Sequence, residues 1–423
     1  VISHLLAFAG IAVMLLTLPL ILELFVLTVA SRLPKRRPAG SANAAAVRLA
    51  VIIPAHNEEA LIATCVESLR ASAAGTNTRI IAVAHNCSDR TAQRAAKAGA
   101  EVMVYNDPAA QGKGSALAVG FEYCTAQGMD ATLVVDADSA VSLNLIGAVR
   151  EAMANGAEGV QCRYELDSSS KRPTTRLTAL AFRGFNVVRA AGRDRLGLSS
   201  GLFGNGFAIR QDLLARKTYD SKSVVEDLEF HLELVSSGVR VQFLRSALVS
   251  SGMPASKQGD TTQRSRWEGG RLQVASAKLL PLLRKLATGN LRVLEPALDL
   301  ASLPIGYGAA LLVVAVCLPL PWLRMYALIA MAVLAGHVLA AAWDGPDFLG
   351  DMRILSRVPG YILWKLRVIP KLLRTSRTDA VWVRTERLPA LPFAVQDATL
   401  ESDMATGQTV EHALQITHPL EIS

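Results

Sequence analysis

Two carboxylates, Asp136 and Asp138, stand two residues apart at the end of the apolar run Leu133-Val134-Val135. Their oxygens can share one hard cation, which can take phosphate oxygens as further ligands. A cation so placed would offset the charge of a leaving diphosphate. Such pairs also occur in ordinary turns, so the neighbours decide what this one means. Gly112-Lys113-Gly114 precedes a helical stretch. Its glycines let backbone N–H groups approach an anion, the helix N-terminus favours negative charge, and the lysine adds a cation. The GxxxxGK[ST] spacing is absent, so this is not a P-loop. Val225-Glu226-Asp227-Leu228 opens another helix. Acids suit a first turn, but a carboxylate there can also take a proton from a hydroxyl. In Gln263-Arg264-Ser265-Arg266-Trp267, helical spacing puts Gln263, Arg266 and Trp267 on one face. A guanidinium for phosphate then lies beside a flat aromatic for a sugar ring.

These groups need a scaffold, and the pattern between residues 49 and 275 supplies one. Short apolar runs predict strands at Leu49–Pro54, Arg79–Ala84, Glu101–Tyr105, Ala131–Asp136 and Gly159–Tyr164. Helices are predicted at Glu58–Ala71, Asp89–Ala98, Ser115–Ala126, Leu143–Ala154 and Glu226–Ser236. Alternation of this kind implies an α/β fold with a mostly parallel sheet. Ligands bind such sheets beyond the carboxyl ends of the strands. Polar clusters fall at those ends: Pro54-Ala55-His56-Asn57-Glu58, His85-Asn86-Cys87-Ser88-Asp89 and Asp136-Ala137-Asp138.

The rest of the chain is of a different kind. Of 423 residues, 51% are hydrophobic and 19% charged, too apolar for an ordinary soluble enzyme and too charged for one wholly in lipid. Disorder, collagen and small disulfide scaffolds are excluded. Five cysteines, none in a CxxC spacing, read as free thiols. The run Leu5–Ala30 is long enough to cross a bilayer and is succeeded by Arg32, Lys35, Arg36 and Arg37. The positive-inside rule places the α/β domain in the cytoplasm and the N-terminus outside. Glu23, within that run, is expected to snorkel or to pair with another helix. Leu300–Leu320 and Met325–Trp343 read as a helical hairpin, giving three spans. The expected order is a transmembrane helix at 1–31, a basic linker at 32–48 and the α/β domain at 49–275. An interfacial segment at 276–298 and the hairpin at 299–344 come next. Basic amphipathic interfacial helices at 345–378 and a cytoplasmic tail at 379–423 complete it. Formal net charge is +8, and residues 352–377 hold seven Lys and Arg with no acid (Arg353, Arg357, Lys365, Arg367, Lys371, Arg374 and Arg377). Interleaved with apolar residues, they describe a helix on anionic membrane lipid. No base-reading motif accompanies them, so a nucleic-acid partner is not expected.

Taken in order, the clusters resemble the family-two inverting glycosyltransferases of GT-A fold. The resemblance rests on Val51-Ile52-Ile53-Pro54-Ala55-His56-Asn57-Glu58-Glu59, Asp136/Asp138, Gly204-Asn205-Gly206-Phe207, Glu226-Asp227 and Gln263–Trp267, over roughly residues 49–275. It implies a Rossmann-like domain that uses a nucleotide sugar and Mg²⁺ or Mn²⁺. By that likeness Ala55, Glu58, His85 and Asp89 would hold the nucleoside, with Lys113 near the diphosphate. Asp136 and Asp138 would hold nucleotide and metal, and Arg266 the diphosphate. Asp227, beside Glu226, would be the base, and Asn205, Gln263 and Trp267 would face the acceptor. His85 stands where the family commonly has an aspartate, which weakens the usual argument for a UDP donor; UDP remains first and GDP second. The Gln263–Trp267 motif also resembles processive chitin, hyaluronan and cellulose synthases. Three spans give one monomer few walls for a pore, so the expected acceptor is a polyprenyl-diphosphate-linked glycan at a bacterial inner membrane, during envelope or exopolysaccharide assembly. A homo-oligomer or an export complex is left open. The competing classes are an inactive scaffold of a polysaccharide assembly complex, which would not need Asp136, Asp138, Asp227 and Arg266 together, and a nucleotidyltransferase, which would need a different glycine-rich opening.

Overall fold

The computed structural model describes residues 2–34, 43–110, 112–167, 172–217, 219, 225–253 and 257–363, and for 257–266 the helix path alone. Helix α1 (Ile2–Ala30) precedes an eight-stranded sheet ordered β3-β2-β1-β4-β7-β6-β8-β5. The strands are β1 (Leu49–Ala55), β2 (Arg79–His85), β3 (Glu101–Tyr105), β4 (Ala131–Val134), β5 (Ser139–Val141), β6 (Gly159–Leu166), β7 (Phe207–Arg210) and β8 (Val241–Ser251). All five predicted strands are present to within a residue or two. β5, β7 and β8 were not predicted. β5 and β7 pair only antiparallel, making a mixed sheet.

Helices α2 (Ile62–Ser72), α3 (Thr91–Ala98), α4 (Lys113–Ala126) and α5 (Leu145–Ala154) cover the sheet. In α2, Ile62, Cys65, Val66 and Leu69 are buried, the i, i+3, i+4, i+7 stripe of a helix that packs one face inward. β1 is buried on both faces, as parallel strands between helix layers must be. It pairs in parallel with β2 on one side and β4 on the other. The chain thus winds outward through β2 and β3 and then reverses to β4. That reversal opens a crevice at the carboxyl ends of β1 and β4, where a ligand fits.

Beyond β6 come α6 (Pro173–Arg183), a π-helix at Gly184–Arg189 and α7 (Ala190–Arg195). Helices α8 (Gln211–Arg216), α9 (Glu226–Ser236) and α10 (Lys257–Ala287) come after them. Then come α11 (Leu294–Ala301), α12 (Ile305–Cys317), α13 (Pro321–Trp343) and α14 (Phe348–Ile354). Helices α1 and α13 are long and apolar enough to cross a membrane. The third expected span differs. At 13 residues, α12 is ~20 Å long, short of a ~30 Å hydrocarbon core. It and α11 form a pair bent by 68°, one broken span or a re-entrant element. Pro304 caps α12 in an extended conformation, and a proline there cannot continue the preceding helix. Of the basic stretch, α14 and residues up to 363 are helical; Lys365, Arg367, Lys371, Arg374 and Arg377 lie outside the described residues.

Polar contacts fasten the apolar helices together and to the domain. Thr17 bonds Tyr326 at 2.8 Å, Thr28 bonds His337 Nδ1 at 2.7 Å, and Arg32 pairs with Asp344 at 2.9 Å. Glu23 is buried and pairs with Arg189 and Arg193, while the Ser302 hydroxyl donates to it at 3.1 Å. Asp299 pairs with Arg189, Arg193 and Arg271, and Glu295 with Arg193. The pairing reading of Glu23 thus holds, and the partners come from the domain's own helices. Gly192 lets α7 lie on α1 backbone to backbone: a Cβ there would fall 2.2 Å from the Leu27 carbonyl oxygen. All five cysteines are free.

Candidate active site

Two asparagines shape the loops above the crevice. Asn57 and Asn86 have φ of 55° and 49°, a left-handed conformation that asparagine tolerates better than most residues. Asn57 Oδ1 accepts from Ser88 N at 2.7 Å, which ties the loop after β1 to the loop after β2. Asn86 accepts from Asp107 N at 2.8 Å and donates to its carbonyl at 2.9 Å. Asp89 accepts from Thr91 N at 2.9 Å and Glu59 N at 3.2 Å. Asp89, expected against the nucleoside, therefore holds the loop and the start of α3. His85 is buried and stacks on Tyr105 at 5.2 Å. Burial holds its pKa below the usual histidine value, leaving a neutral ring that can accept a hydrogen bond.

Lys113, the first residue of α4, pairs with Asp136 and donates to the Gly204 carbonyl at 2.5 Å. Burial works against its ammonium, but Asp136, Glu226 and Asp227 outweigh that and raise its pKa. Asp136 N donates to Asn205 Oδ1 at 3.0 Å. The Asn205 amide then donates to Ser139 at 2.9 Å and Ser251 at 3.2 Å. Asn205, expected on the acceptor side, is instead buried beneath Asp136 and fixes its backbone. Asp138 accepts from the Ser139 hydroxyl at 3.3 Å.

Gly204 separates the lysine from the acids of α9. Its φ is +74°, and a Cβ there would lie 3.1 Å from Asp227 Oδ2 and 3.9 Å from Lys113 Nζ. Asp227 Oδ1 accepts from Leu228 N at 2.8 Å. Burial first, then the neighbouring Glu226 charge, push the Asp227 carboxyl up to about 7. A carboxyl poised there can take and hold a proton near neutral pH.

A cavity of about 2010 Å³ joins these groups. Ala55, Glu58, His85, Lys113, Asp136 and Asp138 line one end, and Glu226, Asp227 and Trp267 lie farther along. The other end runs between Ile305, Ala309 and Val313 of α12 and Met331, Leu334 and Val338 of α13. Trp267, expected on the acceptor side, lines the cavity and is tilted against Phe182 at 5.8 Å. The side chains of Gln263 and Arg266 lie outside the described residues. Sequence reading missed the segment 173–195, whose Phe185, Asn186, Arg189 and Arg193 also line the cavity. The only signal was a series of arginines in an otherwise apolar stretch.

Among the described residues no group of three or more His, Cys, Asp or Glu could hold a metal unaided. Asp136 and Asp138 are an all-oxygen pair, which suits Mg²⁺ or Mn²⁺ completing its shell with phosphate and water.

The family model "Glycosyltransferase like family 2" matches residues 46–270. A probable glycosyltransferase of Bacillus subtilis (strain 168), YdaM, is 26% identical over 238 residues, 54% of this chain and 56% of that relative, so the match spans about half the relative's length. Among solved structures, the mannosyltransferase PcManGT from Pyrobaculum calidifontis, in complex with GDP-Man and Mn²⁺, superposes with a TM-score of 0.50 at 18% identity. It covers 80% of this chain and 99% of its own. Glucosyl-3-phosphoglycerate synthase from Mycobacterium tuberculosis, with Mn²⁺, UDP and phosphoglyceric acid, gives a TM-score of 0.39 at 21% identity over 55% of this chain and 82% of its own. The sheet, the crevice and a family match over more than half its length agree: the chain belongs to glycosyltransferase family 2.

Proposed function

We propose that the protein is a membrane-bound inverting glycosyltransferase that moves a sugar from a nucleotide sugar to a polyprenyl-diphosphate-linked glycan. UDP is the first expectation for the nucleotide; the GDP-Man complex of the Pyrobaculum enzyme keeps GDP second. The setting is envelope or exopolysaccharide assembly at a bacterial inner membrane, with the sheet domain on the cytoplasmic side. One observation carries this reading. The Asp227 carboxyl, held near neutrality, shares a cavity with Lys113, Asp136 and Asp138, and that cavity continues between apolar helices.

In this scheme the nucleoside rests against Ala55, Glu58 and His85, and the diphosphate lies near Lys113 and Arg266. Asp136 and Asp138 would hold Mg²⁺ or Mn²⁺, which supplies positive charge to the departing diphosphate. Asp227 takes the proton of an acceptor hydroxyl. That oxygen bonds to the anomeric carbon from one side as the bond to the diphosphate oxygen breaks on the other. The configuration inverts in a single displacement, and no enzyme nucleophile is needed. Gln263 and Trp267 would border the acceptor. The apolar end of the cavity suits a polyprenyl tail, and the basic stretch after α14 suits anionic lipid.

Detergent-purified protein given a UDP-sugar, Mn²⁺ and a lipid-linked acceptor should add one sugar or a few. Long polymer from sugar nucleotide alone would establish the processive alternative instead. Thermal-shift screening against UDP-, GDP- and dTDP-sugars with Mn²⁺ should identify the base.

A further inference from the structure

Gln161 of β6 is 0% exposed, a neutral polar side chain inside the sheet core, and the scheme above gives it no part. Its amide makes four hydrogen bonds. Nε2 donates to the carbonyls of Asn205 at 2.8 Å, Cys162 at 2.9 Å and Gly206 at 3.2 Å, and Oε1 accepts from Phe203 N at 3.0 Å. A nitrogen facing carbonyls and an oxygen facing an N–H fix which way the amide points. Three of the four bonds reach the loop 203–206 rather than a neighbour within β6. A buried amide needs partners. An apolar side chain of the same shape would fill a strand position at little cost, were no loop depending on the amide.

This loop cannot hold its own shape. Gly204 and Gly206 have φ of +74° and +66°, and glycine loses more conformational freedom on ordering than any other residue. Gly206 is fixed through its backbone: its N–H donates to the Val134 carbonyl at 2.9 Å, and its own carbonyl accepts from Cys162 N at 2.7 Å. Phe203 N and the Asn205 carbonyl are held by Gln161, one on each side of Gly204. Gly204 in turn meets the reaction centre twice. Its carbonyl accepts from Lys113, and a Cβ on it would lie 3.1 Å from Asp227 Oδ2. Asp136 is held by other means: its N–H donates to the Asn205 side chain, which is anchored on Ser139 and Ser251.

We infer that Gln161 is a positioning residue for the transfer step: by bracing both sides of Gly204 it sets the spacing between Lys113 and Asp227. The inference rests on the reading of Asp227 as the base and Lys113 as the neighbour of the diphosphate. Ammonium and base act on opposite sides of the anomeric carbon, so their separation has to match one geometry. Misplacing a reacting group by about 1 Å costs on the order of 10²-fold in rate.

Full-length wild type and Gln161→Met are compared in nanodiscs with Mn²⁺. The donor is the UDP-, GDP- or dTDP-sugar that the wild type turns over. The acceptor is the one it uses among farnesyl-diphosphate-linked N-acetylglucosamine, chitotetraose and cellotetraose. Rates are normalised to nucleotide-binding sites counted by calorimetry. Gln161→Met should lower kcat about 10–100-fold, with donor KM and nucleotide Kd within about twofold. Gln161→Glu should recover part of kcat. Among carbonyls its buried carboxyl stays protonated, so it keeps an acceptor for Phe203 N and one donor. If Gln161→Met does not fold, Gln161→Glu decides by the same two readings. Gly204→Ala puts a Cβ into the same gap and should also lower kcat. The double variant should lose little more than the worse single one, because both act on one spacing. A lower Tm with kcat per site unchanged would make Gln161 a packing residue and overturn the proposal. So would a loss confined to donor KM, or single losses that multiply in the double variant. A wild type that transfers to none of the acceptors would instead remove the proposed function, and this inference with it.

Discussion

Two charge clusters lie along the same cavity, one buried and one half-buried, and are built on different plans. At the border between α1 and the sheet domain, Arg189, Arg193 and Arg271 face Glu23, Glu295 and Asp299, three cations against three carboxylates. At the crevice, Lys113 pairs with Asp136 and feels the charges of Glu226 and Asp227. The first cluster is electrostatically complete and works as a fastening. In the second, burial first and then the neighbouring Glu226 charge raise the Asp227 pKa.

The contrast can be tested from its largest expected effect downward. Asp227→Asn should lower transfer by about 10²–10⁴-fold in steady-state assays while nucleotide-sugar affinity stays nearly intact. Retained activity would remove Asp227 from the role of base. Next, Glu23→Ala should destabilise the protein by about 3–5 kcal/mol, because it leaves buried arginines uncompensated. Unchanged detergent melting would show that the border cluster is not the fastening it resembles. Asp138→Ala should weaken donor binding in the presence of Mn²⁺ about tenfold or more and leave metal-free binding alone. Equal affinity with and without Mn²⁺ would contradict the metal assignment.

The smallest effects are those of pH. On the proposed mechanism Asp227 acts in its ionised form, so kcat/KM should rise with pH through about 7. Between roughly pH 4, the ordinary aspartate range, and that value, the folded state holds a proton that the unfolded chain has lost. Stability from this group therefore falls as pH rises. Asp227→Asn should raise Tm at pH 8 and leave it unchanged near pH 3. A variant that gains nothing at pH 8 would mean the acids of α9 are not in conflict.

The crevice was legible in sequence because its chemistry sits at the ends of regular elements. The apolar runs of β1, β2 and β4 end in Ala55, His85 and the Asp136 loop, and parallel pairing brings those ends together. Lys113 and Asp227 begin helices, where their types already suggested a role. The border cluster was not legible. Glu23 and Arg189 are 166 residues apart, and no local pattern encodes such a pairing. The short strands β5 and β7, of three and four residues, carry too few side chains to show a period. Asp89 and Asn205 had the right types for ligand contact, but loop closure and the support of Asp136 require the same hydrogen bonds.

The bare contact between Gly192 and the Leu27 carbonyl has a mechanical consequence. With no side chain between them, α7 and α1 have no compliant layer that could act as a hinge. In the proposed setting, the cavity then keeps one height relative to α1, and the protein acts as a gauge of fixed reach. With α1 spanning a bilayer as proposed, bilayer thickness becomes a kinetic variable: lipids that shift α1 vertically shift Asp227 with it, and should alter turnover without altering affinity for the soluble donor.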